Sequence, residues 1–479
     1  MTMVPMGWEW TRDGRTLIEW LLDRFVKSHL FVGGATGSGK TAWLLSILCA
    51  LIKRRAPVNI VFVDAKGEGA NRLVGHLLPL LLPERPELLG ELRHVRFFDD
   101  DFVVPLDPCV LRGGVDIATQ AAGVTSGLSS LLGSGMGARM DAALTASLAC
   151  VIEAGGDLLN VIEILEDDDV AARLAARLKD PERQRFLLTC LPKETPATRR
   201  ALAARLRALL TLPSLRASLC AGSRVDGAEL LESPLTVVNA GGAPAGELDL
   251  ARTMGSLVIH SLVAAIFDRK VTSETRQVLL VLDEVAELLR GALVDDAARI
   301  LELARSQKVT LILTTQSLSQ LSSMSPALAR SILTNTGTRV QLRGAAADFD
   351  DVVGALPITG AVVDPARPDR CLSRADEKAA RVEALHRLEP RRAVVVDRVH
   401  HEVRVLDTIT IPIEEAERRA SQLPAAMQTA LRRGAIARPR AEVLTEIERR
   451  HAAPAASAPT SAPTAMRKPS KKTPKLVIP

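Results

Sequence analysis

The sequence contains no tyrosine, and aromatic residues account for only 3% of its 479 residues. Proteins that bind single-stranded nucleic acid by base stacking present aromatic side chains to successive bases. The composition therefore argues against a base-stacking platform. Any contact with nucleic acid is expected to involve backbone phosphates and to be largely independent of base sequence.

Long apolar runs and paired cysteines are also absent. No apolar run reaches the roughly 18 residues that a membrane span needs, and the N-terminus lacks the charged start and apolar stretch of a secretory signal. The six cysteines are widely spaced without a CxxC pair, which argues against a zinc site or a disulfide framework. These absences predict a cytoplasmic protein.

The excess positive charge is concentrated at the C-terminus. The tail at 452–479 carries five basic residues and no acidic one, which equals the formal net charge of +5 for the whole chain. Its composition of Pro, Ala, Ser and Lys predicts disorder. Such a tail can bind nucleic acid, a membrane surface or an acidic protein, and charge alone does not choose among them.

Short apolar runs rich in β-branched residues recur along the chain. Several are apolar on both alternating faces, which is typical of central parallel strands covered by helices on each side. They begin at residues 29, 59, 93, 235, 277, 309, 338 and 391. Together they predict an α/β fold built on one large sheet.

A long stretch between the early and late runs has helical spacing and helix-forming composition instead. It predicts an all-helical insertion, and two polar helices separated near Gly434 and Pro439 are predicted after the sheet. The predicted organisation is an N-terminal segment at 1–28, a core at 29–110 and 231–411, the insertion at 111–230, C-terminal helices at 412–451 and the tail at 452–479.

A glycine-rich loop ending in lysine follows the first predicted strand. The segment GATGSGKT matches GxxxxGK[ST] and lies between an apolar strand and an apolar helix, as that pattern requires. The backbone N–H groups of such a loop surround phosphate oxygens, and the helix dipole adds to the attraction. Lys40 is expected to neutralise the β- and γ-phosphates of ATP, and Thr41 to ligate Mg²⁺. The predicted ATP-binding residues are Gly34, Ala35, Thr36, Gly37, Ser38, Gly39, Lys40, Thr41 and Asp283. The alternative is a glycine-rich turn without a ligand.

Two adjacent acids end the apolar segment QVLLVLDE. Asp283 is expected to join Thr41 as a Mg²⁺ ligand, and Glu284 to polarise the water that attacks the γ-phosphate. This pair favours hydrolysis over transfer of the phosphate to a substrate. The alternative is an Asp at a helix N-cap with a Glu in the first turn.

The run VTLILTT ends on Gln316. If it is a parallel neighbour of QVLLVLDE, Gln316 emerges at the same sheet edge as Asp283 and Lys40. It is then predicted to sense the γ-phosphate or to orient the attacking water, the alternative being a residue that caps the next helix.

An arginine lies eleven residues before Gln316 in the sequence. Arg305 is a candidate arginine finger that reaches the nucleotide of an adjoining subunit. A solvated arginine at a helix end is the alternative, and Arg290, Arg330 and Arg339 are rival candidates.

The segments HLFVG with GATGSGKT, FVDAKGEGA, VLLVLDEVAEL, and LARSQKVTLILTTQSLSQL followed by ILTNTGTRVQLR together resemble a known family. They are similar to the FtsK/HerA superfamily of ring-shaped DNA-pumping ATPases, and within it to the TraG/TraD class of coupling ATPases of conjugation and type IV secretion. The resemblance covers roughly 29–110 and 230–400. It implies a RecA-like P-loop core, a homohexamer with ATP between subunits, and DNA in the central channel. It also favours Arg305 as the finger and implies a relaxase or a secretion channel as partner.

Two family features are missing from the sequence. Conjugative coupling proteins usually begin with membrane-spanning helices and HerA-type translocases with a β-barrel, whereas 28 residues precede the first predicted strand here. We therefore expect a cytoplasmic protein that reaches the inner membrane through a partner, or a free translocase in DNA processing or defence. A polypeptide-moving secretion ATPase and a non-motor P-loop scaffold remain alternatives.

Three further segments carry recognisable patterns. Asp64 and Lys66 resemble the family's DPKGE segment, with Ala65 in place of proline, and a turn at a strand end is their expected role. Asn335 matches the family as well and is expected to stabilise a turn. The glycines at 133–137 resemble a dinucleotide fingerprint, but no strand precedes them, so an interhelical loop is predicted.

Overall fold

The computed structural model describes most of the chain. The described residues are 2–11, 14–132, 137–241, 248–289, 292–344, 358, 363–364, 367–409 and 411–452. Arg290, residues 133–136 of the predicted interhelical loop and residues 453–479 of the tail lie outside them. What the sequence predicts for these residues therefore stays a prediction.

The strands, in chain order, are β1 (Met3–Thr11), β2 (Gly14–Leu21), β3 (His29–Gly33), β4 (Val58–Asp64), β5 (Leu92–Arg96), β6 (Phe102–Val103), β7 (Leu235–Asn239), β8 (Gln277–Asp283), β9 (Val309–Thr315), β10 (Thr336–Leu342), β11 (Val363–Asp364), β12 (Arg367–Cys371), β13 (Arg392–Asp397), β14 (Glu402–Asp407) and β15 (Arg438–Pro439).

The α-helices are α1 (Leu22–Val26), α2 (Lys40–Lys53), α3 (Glu68–Arg72), α4 (Leu78–Leu81), α5 (Leu88–Glu91), α6 (Ile117–Leu132), α7 (Ala138–Ala154), α8 (Leu158–Glu166), α9 (Asp168–Ala175), α10 (Pro181–Arg185), α11 (Pro196–Leu210), α12 (Pro213–Leu219), α13 (Gly227–Glu232), α14 (Leu248–Asp268), α15 (Val285–Leu288), α16 (Ala292–Leu303), α17 (Leu318–Met324), α18 (Pro326–Asn335), α19 (Arg374–His386), α20 (Ile413–Gln422), α21 (Ala425–Arg433) and α22 (Arg440–Ala452). Leu73–Leu77 and Phe186–Cys190 are π-helical, and Leu191–Lys193 is a 3₁₀ turn.

The main sheet has the strand order β2-β1-β14-β13-β10-β3-β9-β8-β4-β7-β5. The strands from β10 to β5 run parallel to one another, whereas β13 pairs antiparallel with β10, and β14, β1 and β2 continue the antiparallel pairing. The predicted α/β fold is confirmed. Because β9 lies between β3 and β8, the carboxyl ends of these three strands meet at one edge.

The central strands are apolar because both of their faces are covered. Every residue of β9 is buried, as are all residues of β8 except the first. One apolar cluster on the sheet contains side chains of α2 and of the segment from α3 to α5. A second cluster joins the sheet to the helices between β6 and β7. The helical insertion thus shares an apolar core with the sheet.

The N-terminal segment contains two strands that were not predicted, β1 and β2. β1 and β2 form a hairpin, and β1 pairs with β14 at the end of the main sheet. Val4, Met6 and Trp20 are buried against the core. Pro5 and Gly7 within β1 obscured the strand in the sequence, since both residues are unfavourable in strand interiors.

The C-terminal region forms three helices rather than the two that were predicted. The last of them, α22, returns to the insertion and contacts the N-cap of α8. Asp157 is fully buried there, and its Oδ2 accepts hydrogen bonds from Arg450 Nη1 at 2.8 Å and from His451 Nε2 at 3.0 Å. His451 Nδ1 also lies 3.3 Å from Glu163 Oε1.

This contact predicts a pH-dependent stability. Hydrogen bonds from His451 to Asp157 and Glu163 raise the pKa of the imidazole from 6.5 to about 9. A raised pKa means that the stabilisation is complete below 6.5 and is lost as the pH rises through about 9. We expect His451→Gln to lower the melting temperature at pH 6 and to match the wild type above pH 9. A difference that stays constant from pH 6 to pH 10 contradicts the prediction.

Three further features of the described part of the chain concern membrane spans, cysteines and metal clusters. Its helices include none that is both long and apolar enough to cross a bilayer. The cysteines are unpaired. Within the same residues, no cluster of three or more His, Cys, Asp or Glu side chains could hold a metal ion by itself.

Candidate active site

The glycine-rich loop connects β3 to α2. Gly37 and Gly39 have φ of 76° and 105°, backbone conformations that favour glycine. Neighbouring segments hold the loop in place: Ala35 N donates to Arg343 O at 2.7 Å, and Arg391 N donates to Ser38 O at 3.0 Å. The loop is therefore anchored from the ends of two further strands, β10 and β13.

Lys40 points back into this loop. Its side chain is only 5% exposed, and Nζ donates to the carbonyl oxygens of Gly34 at 2.5 Å and Ala35 at 3.4 Å. Nζ also lies 3.8 Å from Glu284 Oε1. Burial lowers the pKa of the ammonium, and the Glu284 and Asp283 carboxylates oppose that effect. The cation is thus positioned beside the loop and the acidic pair.

Asp283 ends β8 beside Thr41. Thr41 Oγ1 donates to Asp283 Oδ2 at 3.2 Å, and the Thr314 hydroxyl donates to Oδ1. Burial, followed by the nearby Asp64 carboxylate, raises the pKa of Asp283 to about 6. A hydroxyl and a carboxylate oxygen at this separation are the hard ligands that Mg²⁺ prefers. The donor set fits Mg²⁺ accompanied by phosphate oxygens.

Glu284 is held in an unusual backbone conformation. Its φ of 56° and ψ of 57° are left-handed, which costs a non-glycine residue about 1 kcal/mol or more and persists only when the surroundings enforce it. Glu284 N donates to Thr314 Oγ1 at 2.9 Å. The carboxylate oxygen Oε1 accepts hydrogen bonds from Gln316 Nε2 and from Lys66 Nζ, each at 3.1 Å.

Gln316 connects the loop to the acidic pair. Its Oε1 accepts a hydrogen bond from Thr36 Oγ1 at 3.0 Å, while its Nε2 donates to Glu284. β8 and β9 are adjacent parallel strands, which is the condition for Gln316 to emerge beside Asp283. The residues predicted on three separate strands therefore meet at one sheet edge.

Lys66 and Thr314 are also part of this site, although the sequence did not predict it: Lys66 contacts Glu284, and Thr314 contacts Asp283. β4 pairs with β8 so that Asp64 lies opposite Asp283. Asp64 Oδ1 and Oδ2 accept hydrogen bonds from the backbone N–H groups of Lys66 and Ala70, both at 2.9 Å. The expected strand-end turn is present, and it also brings Lys66 Nζ to Glu284. The position of DAKGE at the end of a predicted strand was the signal in the sequence that could have placed Lys66 in the site.

Arg305 lies at the opposite edge of the sheet. It precedes β9 in the chain and is exposed, whereas Gln316 follows that strand. The seven residues of β9 separate the two edges by about 20 Å. Arg305 lines a surface cavity of about 580 Å³ together with Asn335 and Arg398. Arg305 therefore cannot reach the loop of its own chain.

The rival arginines differ in their accessibility. Arg339 is buried, and its guanidinium donates to the Leu333 carbonyl oxygen. Arg330 is exposed on α18 and donates to Pro326 O at 3.2 Å. Asn335 Nδ2 donates to Ser331 O and Oγ at 3.1 Å, so its side chain contacts the preceding helical turn.

One segment of the chain matches a known family model. Residues 277–356 match the family model described as the TraM recognition site of TraD and TraG. This segment contains β8, β9 and β10, and its last residues lie outside the described part of the chain. Comparison with curated protein sequences gives no significant match.

Solved structures of two proteins are similar over most of the chain. The unbound bacterial conjugative coupling protein TrwB is 16% identical, with 83% of this chain and 87% of that chain covered and a TM-score of 0.51. TrwB with ADP and Mg²⁺ is also 16% identical, with 82% and 87% covered and a TM-score of 0.53. VirB4 of Thermoanaerobacter pseudethanolicus is 15% identical, with 86% and 97% covered and a TM-score of 0.54. The RecA-like P-loop ATPase fold is confirmed.

Proposed function

We propose that this chain, a P-loop protein of the FtsK/HerA class with a TraG- and TraD-type segment, is an ATP-hydrolysing DNA translocase. We infer that it works as a homohexamer and as a coupling protein in conjugative DNA transfer or type IV secretion. ATP and Mg²⁺ are its proposed cofactors, and contacts to DNA are proposed to be with the backbone.

The observation that carries the proposal is the bridge formed by Gln316. Its amide contacts Thr36 in the phosphate-binding loop at one end and the Glu284 carboxylate at the other. Such a bridge suits a motor, because it connects the occupancy of the phosphate site to the acid that activates water. A passive phosphate-binding scaffold has no need of this connection.

Each residue of the site has a proposed role in ATP hydrolysis. Lys40 binds the β- and γ-phosphates, and Glu284 accepts a proton from the attacking water while Gln316 orients that water. Mg²⁺ held by Thr41 and Asp283 would supply positive charge to the phosphates. Arg305 of an adjoining subunit is proposed to stabilise the charge that develops on the γ-phosphate.

The partners follow from the same proposal. The family segment is named for recognition of TraM in TraD and TraG, which favours a DNA-processing partner such as a relaxase complex, or a secretion channel. Unpaired cysteines suit a reducing compartment. We infer a cytoplasmic position, with contact to the inner membrane made through a separate protein.

The proposal is tested by the ATPase rate in the presence of single-stranded DNA, duplex DNA or no polymer, together with the mass of the assembly. We expect stimulation by at least one form of DNA and a hexameric mass. Hydrolysis without stimulation by either DNA contradicts DNA translocation.

A second candidate function is a secretion ATPase that moves polypeptide. The similarity to VirB4, which extends over 97% of that chain, favours keeping it. This function predicts hydrolysis that responds to an unfolded polypeptide and not to DNA. The same ATPase assay, with an unfolded polypeptide added as a further arm, separates the two candidates.

Arg305 gives a prediction about mixed assemblies. Because Arg305 lies about 20 Å from its own loop, Arg305→Ala and Lys40→Ala chains are each expected to be inactive alone but to recover activity when mixed. In randomly mixed rings, about one quarter of the interfaces combine an intact loop with an intact arginine.

The measurement is the ATPase rate of rings whose mixed composition is verified by mass. Arg330→Ala, an exposed arginine on α18, is the matched control and is expected to retain activity alone. Verified mixed rings with no recovered hydrolysis would falsify a finger supplied in trans.

A further inference from the structure

The ammonium of Lys66 is in contact with Glu284, the residue that is proposed to activate water. Lys66 Nζ is 3.1 Å from Glu284 Oε1. The Lys66 side chain is 43% exposed, whereas that of Glu284 is 11% exposed. Exposed ion pairs contribute little, but removing the partner of a largely buried charge has a much larger effect. This contact therefore matters more to Glu284 than to Lys66.

Two hydrogen-bond donors on opposite sides of Glu284 bind the same carboxylate oxygen. Gln316 follows β9, and Lys66 follows β4, so the two donors come from the strands that flank β8. Both donate to Oε1 at 3.1 Å. With one donor on each side, the carboxylate cannot rotate toward either neighbouring strand without breaking a hydrogen bond.

The turn that carries Lys66 is itself firmly positioned. Lys66 N donates to the Asp64 carboxylate at 2.9 Å. Gly67 has a φ of 79°, and a side chain at that position would collide with Asn239. A side chain at Gly241 would collide with the Lys66 carbonyl group. Close packing against the end of β7 thus fixes the point from which the lysine reaches Glu284.

We propose that Lys66 is a positioning residue for hydrolysis, which together with Gln316 holds the Glu284 carboxylate in the orientation that activates water. This inference rests on the proposed ATPase function. Its chemistry is a charge-assisted hydrogen bond to the general base, and Lys66 makes no contact with the reacting atoms. Loss of the ammonium leaves Glu284 beside the Asp283 carboxylate with one hydrogen-bond donor, Gln316, in place of two, and with the Lys40 ammonium 3.8 Å from Oε1.

The test is Lys66→Met, which keeps the length and apolar stem of the side chain and removes the charge. We expect kcat to fall about 10- to 100-fold, because small displacements of a catalytic group have effects of this size. The dissociation constant for a fluorescent ATP analogue is expected to change little. Lys66→Arg is expected to recover part of the lost kcat, since the cation is restored.

A double variant separates positioning from a general structural role. In the Glu284→Gln background, Lys66→Met is expected to cause no further loss of kcat, because Lys66 acts through the Glu284 carboxylate. A further loss of the same size as in the wild type overturns the inference. An unchanged or increased kcat in Lys66→Met overturns it as well, as does weaker nucleotide binding at unchanged kcat, which identifies a phosphate ligand.

Two further measurements keep the outcomes distinct. Lys53→Met removes an exposed lysine at the end of α2, whose Nζ lies 3.4 Å from Glu84 Oε1. This variant is expected to leave kcat unchanged. If the wild-type chain hydrolyses no ATP, the proposed function fails on its own. Crystal structures of the wild type and Lys66→Met then decide the positioning role without turnover: a Glu284 carboxylate that keeps its place overturns it.

Discussion

Lys40→Ala is expected to weaken ATP binding at least about 100-fold, because it removes a buried ammonium that is proposed to make charge-assisted hydrogen bonds to the β- and γ-phosphates. The lysine is 5% exposed and lies at the start of α2, where the loop closes. The nearby Lys66 ammonium is already in contact with Glu284. Titration with a fluorescent ATP analogue measures the loss directly.

The matched control for this substitution lies on the same helix. Lys53→Ala removes an exposed lysine at the last residue of α2, and nucleotide affinity is expected to stay within about threefold of the wild type because surface ion pairs contribute little. Thermal melting of both variants excludes unfolding as the cause. Wild-type affinity in Lys40→Ala would mean that the glycine-rich loop does not bind phosphate.

Glu284→Gln is expected to bind ATP and to hydrolyse it about 100 to 10,000 times more slowly, which is the range for removal of a general base. Glutamine keeps the shape and can still contact Gln316, but it cannot accept the proton from water. The rate of single-turnover hydrolysis should therefore fall, while the nucleotide affinity stays unchanged. Assembly mass in the presence of ATP is expected to report a persistent ring.

Glu302→Gln provides the comparison for this variant. Glu302 is exposed on α16, so its neutralisation is expected to leave hydrolysis unchanged. If Glu284→Gln hydrolyses ATP at the wild-type rate, Glu284 is not the base, and the left-handed backbone at this residue needs another explanation. If it loses nucleotide affinity instead, the residue acts in binding.

Much of the site was predictable because its residues follow apolar strands. The loop after β3, Asp283 at the end of β8 and Gln316 after β9 each lie where an apolar run ends in polar residues. Carboxyl ends of parallel strands meet at one edge, so their convergence followed once the sheet was predicted. The N-terminal hairpin was missed because Pro5 and Gly7 interrupt the strand pattern of β1.

Contacts between distant parts of the chain were not predictable in this way. Lys66 and Glu284 are 218 residues apart in sequence, and no local pattern indicates that their side chains meet. The return of α22 to the insertion is a second example, because it depends on Asp157 and His451, which are 294 residues apart. Such pairs are decided by how whole elements pack.

Local residue types and apolar periodicity specify the groups at each strand end, and these can be read from the sequence: a glycine-rich loop ending in lysine, a carboxylate pair and an amide. Only the packing of the whole chain places β9 between β3 and β8 and brings Lys66 to Glu284. The physical reason is that strand order depends on burying apolar faces contributed by the whole chain, whereas a loop or a strand end depends on a few neighbouring residues.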